Sequence, residues 1–251
     1  MPNLSNSSAY LCPMSDACIV MTATVEPNAV IVERSDVKQR LSDYKLCVDF
    51  YLKSTDLPIY FVENSEFDLD SDSDFKEYQK EERFTIIRVK SLPEKTKGKG
   101  YQEFYAMDKA IGEKITESFI IKVTGRYLVR NISDLIPGMK SPLNIDMHRK
   151  MAVAITGFFG VEKECYQNYF AGLYKQVDDS EGVFIEHVLY REIVSTHLIE
   201  KTSLLPLNPQ YEGISGSHGN SMKRNKYKMM VRSLERSINK SLGIRQFLIE
   251  Y

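Results

Sequence analysis

The sequence predicts an α/β fold: one open, mostly parallel sheet with helices flanking it. Two observations carry that prediction. Residues 17–24 form a short continuous apolar run typical of a buried parallel strand, and 57–62, 84–90 and 118–123 read as further strands. Up to residue 130 they alternate with helical patterns, as the strands and crossover helices of one α/β sheet do. A length of 251 residues with 43% hydrophobic content is enough for a sizeable core. We expect a flexible polar arm at 1–16 and a single domain at 17–251, whose regular half is 17–130 and whose less regular half, ending in a lid and helix, is 131–251.

The elements follow in order. Residues 17–24, rich in β-branched and small apolar side chains, form the first core strand. Residues 35–52 begin with Ser35 and Asp36 and place Val37, Leu41, Tyr44, Val48 and Tyr51 close to helical period, so they read as a helix. Residues 57–62 return to strand. Strand, helix and strand make a right-handed βαβ unit, whose ligand should lie beyond the carboxyl ends of the strands. That rule brings Thr22, Thr24, Glu63 and Asn64 to the mouth of a site. A strand at 84–90, a helix at 103–115 and a strand at 118–123 continue the pattern. Residues 139–146 contain Pro142 and read as a link, 147–160 as a strand and turn, 161–177 as a helix with an aromatic side, and 182–193 as the start of another helix. A last helix spans 228–242.

Charge and cysteine usage exclude several classes. With 33 basic and 34 acidic residues the net charge is −1, so no global field favours nucleic acid. Four cysteines show neither CxxC nor Cys/His spacing, which points to a reducing, cytoplasmic compartment. The N-terminus lacks a signal peptide pattern, and no run reaches the roughly 18 apolar residues of a membrane span. Any membrane association is expected to be peripheral, at the inner face. The acidic run Glu66-Phe-Asp-Leu-Asp-Ser-Asp-Ser-Asp74 lacks the glycine turn and terminal carboxylate of a calcium loop. We read it as a solvated loop, and no metal site is expected there.

Two glycine-bearing basic turns draw the chemistry. Phe119-Ile-Ile-Lys-Val-Thr-Gly-Arg-Tyr127 sets Lys122 and Arg126 around Thr124-Gly125, and Lys97-Gly-Lys-Gly-Tyr-Gln-Glu103 opens an amphipathic helix. Read together they suit an anion such as a phosphate; read apart, the first is a β-hairpin with surface charge. Glu186 and His187 interrupt an apolar run, and a carboxylate there needs a partner or a cleft. Glu186 is therefore a structural ion pair or a base. The Gly/Ser/His segment 213–221, followed by the basic 223–228, reads as a lid over phosphates or as a plain linker.

These motifs, in order, resemble a known family. A Thr-bearing first strand, Pro58-Ile-Tyr-Phe-Val-Glu63, the two basic turns, Thr156-Gly-Phe-Phe-Gly160, Phe184-Ile-Glu186 and Gly213-Ile-Ser-Gly-Ser217 are similar to small bacterial O-antigen and capsule glycosyltransferases, galactan-type galactosyltransferase domains in particular. The resemblance implies a GT-A-like, Rossmann-like nucleotide-sugar fold, with 17–130 as the nucleotide-sugar half and 131–251 as the acceptor half. It implies a hexosyltransferase that uses a UDP-sugar such as UDP-galactose and a saccharide or lipid-linked glycan acceptor. In this family the strand that follows the helix normally ends in Asp-x-Asp, which holds a divalent metal on the diphosphate. Here Thr124-Gly-Arg126 stands in that place, so no cofactor is expected and Lys122 and Arg126 become the candidate charge stabilisers.

Under this reading Glu186 is the general base. Thr22, Thr24, Glu63, Asn64, Lys97, Gly98, Lys99, Gly100, Glu103, Thr124, Gly125, Tyr127, Ser215, Gly216, Ser217 and His218 belong to the donor side, and Asp146, Arg149 and His187 to the acceptor side. A retaining enzyme could do without such a base, so the stereochemical course stays open. Two alternatives remain: a non-catalytic nucleotide-sugar-binding module, and a magnesium-dependent nucleotidyltransferase.

Overall fold

The computed structural model describes residues 16–27, 35–65, 67–94 and 97–213, together with 231, 233, 234 and 236–238. In chain order the elements are β1 (Ala17–Ala23), α1 (Val37–Ser54), β2 (Ile59–Glu63), α2 (Ser73–Tyr78), β3 (Phe84–Arg88), α3 (Lys99–Glu113), β4 (Phe119–Thr124), β5 (Leu128–Val129) and α4 (Ile132–Leu135). They continue with β6 (Leu143–Asn144), β7 (Met147–His148), β8 (Val153–Ala154), β9 (Phe158–Glu162), α5 (Lys163–Tyr169), α6 (Ile185–Ser195), β10 (Thr202–Ser203) and β11 (Tyr211–Glu212). Seven strands form the main sheet in the order β10-β6-β9-β4-β1-β2-β3. β1 pairs in parallel with both β2 and β4, β2 with β3 and β6 with β10, while β9 runs antiparallel to β4 and β6. The α/β fold with a mostly parallel sheet is therefore what the chain adopts.

Burial on both faces explains why β1 is apolar at every position but Thr22, whose hydroxyl has a partner in Glu103. Cys18 and Val20 enter the core on one face, with Phe104, Met107, Ile111 and Val188 of α3 and α6. Ile19 and Met21 enter the other, with Tyr44, Val48 and Tyr51 of α1 and Phe75 of α2. Both faces are covered, so no position of the strand can be polar without a partner. Asp36 begins α1 by accepting a hydrogen bond from the Gln39 amide at 2.8 Å.

The sheet is wider than the sequence suggested. Residues 158–160, read as a turn, are strand β9: Phe158 and Phe159 alternate into the two cores. Gly160 is required there, because a Cβ at that position would lie 2.6 Å from the Met139 sulfur. The expected link at 139–146 supplies β6. The helix read at 161–177 divides into α5 and a 3-10 turn at Leu173–Gln176, because Gly172 takes the left-handed conformation (φ 83°) and ends the α-helical path. The second glycine turn is shorter than expected, since α3 begins at Lys99 rather than Glu103. The arm at 1–15 and most of the last helix lie outside the described residues.

The described part of the acidic run, 67–74, is solvated as expected but is not a loop, since its own carboxylates cap a 3-10 turn and α2. Asp68 accepts from the Asp70 amide, and Asp72 accepts from the amides of Asp74 and Phe75 to open α2. Lys45 on α1 reaches both Asp72 and Asp74 at 2.7 Å, and Arg88 reaches Asp70 at 2.8 Å. Burial tends to raise the Asp72 carboxyl, but Lys45 and the helix amides hold it below its ordinary value. Asp72→Ala is thus expected to cost about 1–2 kcal/mol in denaturant unfolding. Added calcium should not shift the wild-type melt; a calcium-dependent rise in Tm would contradict the capping role.

Candidate functional site

The carboxyl ends of β1 and β4 lie side by side, with Thr22 opposite Thr124 in the register. Past that point the chain turns tightly at residues 124–127, closed by a hydrogen bond from the Tyr127 amide to the Thr124 carbonyl at 2.8 Å. Gly125 sits against β1, its amide donating to the Thr22 carbonyl at 2.9 Å. A Cβ there would stand 2.8 Å from that carbonyl oxygen and 3.1 Å from the Tyr44 ring, so the turn needs glycine. The strand after the turn, β5, pairs with β11 and not with β4, so the motif is not a hairpin.

Lys122 lies inside the sheet and is fully buried. Its ammonium is 2.6 Å from Glu103 Oε1 and donates to Thr124 Oγ1 at 3.0 Å and to the Thr156 carbonyl at 2.7 Å. Those three acceptors match its three N–H bonds. Glu103, projecting from α3, also accepts from Thr22 Oγ1 at 2.6 Å. Burial alone would raise the Glu103 carboxyl, but the Lys122 charge and the Lys122 and Thr22 hydrogen bonds hold it below its usual value. Lys122 therefore works through the groups it holds, and its expected direct contact with a ligand diphosphate gives way to a structural task.

The cations that do converge are Lys99, Arg126 and Arg40. Lys99 stands in the first turn of α3. Burial lowers its pKa; Asp179 and Glu186 act in the opposite direction, and Arg126 and Arg40 lower it further by repulsion. Arg40, on α1, is buried and has its guanidinium on the Thr24 carbonyl and 3.2 Å from the Tyr44 hydroxyl. Burial lowers its pKa too, and Arg126 adds to the effect. Like charges held this close raise the energy of the free protein, and an anion would relieve it.

Arg40 was missed in the sequence. It lies four residues before Tyr44 on the face that α1 buries, and a cation on a buried helix face was the available signal. Asp179, also missed, had no local signal. It approaches α3 only in the tertiary structure, where its carboxylate accepts from the Lys99 amide at 3.2 Å. Gly98 (φ 92°) makes room for it, since a Cβ on Gly98 would overlap the Asp179 carboxylate at 1.8 Å. A Cβ on Gly100 would meet Ile185 of α6 at 2.6 Å. Both glycines are therefore packing positions.

Glu186 lies in the first turn of α6, where the helix dipole favours a carboxylate. It accepts from Thr156 Oγ1 at 3.1 Å, and the carbonyl of the same Thr156 receives the Lys122 ammonium. Burial pushes its pKa up, the Glu103 charge adds to this, and hydrogen bonds and Lys122 only partly oppose it. No ion pair to Glu186 is present among the described residues. The next exposed groups along are Phe184, 43% exposed at the helix cap, and His187, whose ring meets it edge-on at 5.9 Å.

Other expected residues have different tasks. Glu63 is buried and accepts from the amides of Val25 and Ser65 and from the Ser65 hydroxyl, and Asn64 Oδ1 accepts from Thr24 Oγ1 at 2.5 Å. They tie the loops after β1 and β2 together. Lys97 packs over the Tyr101 ring at 5.2 Å, away from the cation cluster's contacts, and Tyr127 packs on Tyr211. Asp146 does not face an acceptor, because Arg236 grips its two oxygens at 2.9 and 2.8 Å. Arg149 is exposed on the turn between β7 and β8. Ser215, Gly216, Ser217 and His218 lie outside the described residues; Gly213, just before them, packs on the Arg126 backbone.

At the place where carboxylates would hold a divalent ion, the structure offers Thr124, Gly125 and Arg126, and the nearby Glu103 is committed to Lys122 and Thr22. Among the described residues no cluster of three or more His, Cys, Asp or Glu side chains has metal-binding geometry. The turn itself offers no carboxylate to a metal ion.

No protein-family model matches the chain, and no curated protein matches it. Among solved structures it is similar to a protein of Desulfovibrio desulfuricans G20 described as a nucleotide-diphospho-sugar transferase, with 13% identity over 76% of this chain and 79% of that one and a TM-score of 0.46. It is similar to the galactosyltransferase LgtC in complex with donor and acceptor sugar analogues, with 9% identity over 74% and 72% and a TM-score of 0.49. It is also similar to the inositol-1-phosphate CTP transferase of T. maritima, with 12% identity over 88% and 96% and a TM-score of 0.49. Likenesses this distant leave the function to be argued from the site.

The Lys122–Glu103 pair yields a stability prediction. Lys122→Met keeps the stem but strands the Glu103 carboxylate, and is expected to cost about 3–5 kcal/mol in denaturant unfolding. Adding Glu103→Leu should recover most of that loss. In the wild type, the contribution of Glu103 is present above its unfolded pKa and is lost as pH falls through its lower folded value.

Proposed function

We propose that this protein is a glycosyltransferase that moves a hexose from a nucleotide sugar to a saccharide acceptor. The observation that carries the reading is the placement of Lys99 at the start of α3, Arg126 in the turn after β4 and Arg40 on the Thr24 carbonyl after β1, beyond the strands' carboxyl ends, with Glu186 in the first turn of α6 and in the same electrostatic neighbourhood. The cation cluster suits a diphosphate, and a carboxylate raised by burial suits a base. The order of motifs resembling O-antigen and capsule transferases supports a UDP-sugar donor, UDP-galactose among the candidates, and an acceptor in cell-surface polysaccharide.

In this mechanism the donor diphosphate lies against Lys99, Arg126 and the turn at Thr124-Gly125, with Arg40 adding to the positive field. The nucleoside rests over the loops tied together by Thr24, Glu63 and Asn64. The acceptor hydroxyl oxygen attacks the anomeric carbon and gives its proton to Glu186 Oε. As that bond forms, the bond from the anomeric carbon to the diphosphate oxygen breaks, and its electron pair leaves on the diphosphate. The fixed cations stabilise that growing charge without reorganising, which is where preorganised sites gain most. Lys122 and Thr156 hold Glu186 at its post. No step is routed through a metal ion. Phe184 and His187 present an apolar edge beside the base, suited to the C–H face of an acceptor sugar.

Transfer or hydrolysis of a panel of UDP-sugars tests this reading. Arg126→Ala and Lys99→Ala are each expected to lower turnover by about 100- to 1,000-fold. Wild-type rates in both would sink the proposal, and complete loss of wild-type activity in EDTA would sink the metal-free part in favour of a magnesium-dependent transferase. Phe184→Ala should raise the acceptor KM and leave the donor KM unchanged.

Glu186→Gln separates catalysis from architecture. Because the folded state holds the Glu186 proton more tightly than the unfolded chain does, its contribution to stability is present below the unfolded pKa and lost as pH rises through the folded one. At neutral pH the ionised group is a cost, so Glu186→Gln is expected to keep or raise Tm while turnover falls by about 100- to 10,000-fold. The acid limb of wild-type kcat should lie above the ordinary carboxylate range. A variant that loses stability but turns over normally would make Glu186 structural.

A further inference from the structure

Beyond its first turn, α3 carries side chains that the transferase chemistry does not use. Tyr101, Tyr105, Asp108 and Gly112 recur at intervals of three and four, so they share one side of the helix. Against that side stands the 3-10 turn Leu173–Gln176, and between the two lies a cleft of about 350 Å³. Small ligands occupy sites of about 300–1,000 Å³. One wall is Tyr105, Lys109, Gly112 and Glu113, and the other is Tyr174 and Lys175. None of Lys99, Arg126, Arg40 and Glu186 lines it. Asp108 fixes the second wall, since its two oxygens accept from the Tyr166 hydroxyl at 2.6 Å and from the Gly172 amide at 2.7 Å, where the 3-10 turn begins. Tyr174 then meets Tyr101 and Tyr105 edge-on, with ring centroids 5.3 and 5.4 Å apart. Tyr101 is nearly covered, while Tyr105 and Tyr174 are half-buried and keep ring surface in the cleft.

Gly112 shows that the space is not a packing requirement. A Cβ there would meet nothing within 4 Å, and its φ is not positive, so neither crowding nor backbone conformation calls for glycine. Gly172 also faces open space, but its left-handed φ of 83° accounts for it. Glycine is the least favourable helix residue after proline. What it does at 112 is leave the cleft unfilled. The charges around the cleft decide what fits. Lys109 and Lys175 are balanced by Asp108 and Glu113, so no net charge is offered to an anion or a cation. Lys109 and Glu113 pair at 3.2 Å on the exposed rim, where such a pair contributes little and leaves N–H donors and carboxylate oxygens for a ligand. Ring faces beside dispersed donors and acceptors, with no net charge, suit a molecule that has apolar C–H faces and many hydroxyls. That molecule is a saccharide.

We propose that the α3 cleft binds a neutral saccharide chain, with sugar C–H faces on Tyr105 and Tyr174 and hydroxyls on Lys109, Glu113 and Lys175. Asp108 is nine residues beyond Lys99, about 14 Å along the helix. Tyr101, in the first turn of α3, spans part of that interval through its contact with Tyr174. The cleft is thus a subsite separate from the reacting centre, placed to hold a distant unit of a chain. Saccharide binding stands without the transferase reading; that the chain is the acceptor's own rests on it.

Saturation-transfer NMR and calorimetric titration of the full-length protein with tetrasaccharides of galactose, glucose and mannose, in the absence of any sugar nucleotide, test the binding. At least one is expected to bind, and excess UDP should leave it bound. Gly112→Leu fills the cleft and should keep or raise Tm, because leucine favours the helix. This variant and Tyr105→Ala are each expected to weaken binding by about tenfold or more. Binding of none of the three sugars, wild-type affinity in both variants, or displacement by UDP would overturn the proposal. So would a preference for tetragalacturonate over the neutral chains, which would make the cleft an anion site. With sugar transfer as the readout, Gly112→Leu should raise the KM for a tetrasaccharide acceptor by about fivefold or more and leave those for a monosaccharide acceptor and the donor unchanged. An unchanged tetrasaccharide KM alongside lost binding would sink the acceptor assignment alone.

Discussion

The site depends on one buried charge pair. Lys122 sits in the interior of a central strand, where an unpaired ammonium would be prohibitively costly, and Glu103 is the carboxylate that makes it tolerable. The same pair ties α3 to the ends of β1 and β4 through Thr22 and Thr124. Through the Thr156 carbonyl it also fixes the segment whose hydroxyl orients Glu186. One ion pair thus links α3, the ends of β1 and β4 and the Thr156 segment.

Around that pair the protein spends stability on like charges held near one another. Arg40 is buried and Lys99 half-buried, and both are repelled by Arg126, while the half-buried Glu186 feels the Glu103 charge. Each is less favourable in the free protein than it would be in water. Such an arrangement is expected where a ligand's negative charge and a proton in transit complete the balance. In contrast, the carboxylates of the 66–74 run lower the free energy of the fold by capping short helices and pairing with Lys45 and Arg88.

Close packing, more than backbone freedom, explains the glycines of the site. Gly100 and Gly125 have no room for a Cβ against Ile185 and the Thr22 carbonyl, and Gly98 combines the same crowding with a positive φ. A glycine-rich basic turn read in isolation suggests a phosphate cradle. Here Asp179 takes the Lys99 amide, and the positive charge offered to a ligand comes from side chains on three separate segments.

The amino-acid sequence alone determined the sheet's centre, because strands buried on both faces are apolar at most positions and α1 shows its period and its Asp36 cap. It also singled out Glu186, whose place in an apolar run is a local fact, and Arg126 beside its glycine turn. Only the tertiary structure decided that Lys122 serves Glu103, that Asp146 serves Arg236, and that Arg40 and Asp179 approach Lys99. Those pairs lie from 19 to 90 positions apart in the chain, and nothing in local spacing encodes them. β6 and β9 escaped for a related reason: two to five residues interrupted by glycine or preceded by proline have too little period to be read as strand. β9 becomes a strand because β4 offers it an edge to pair with, and β6 because β9 then offers the next.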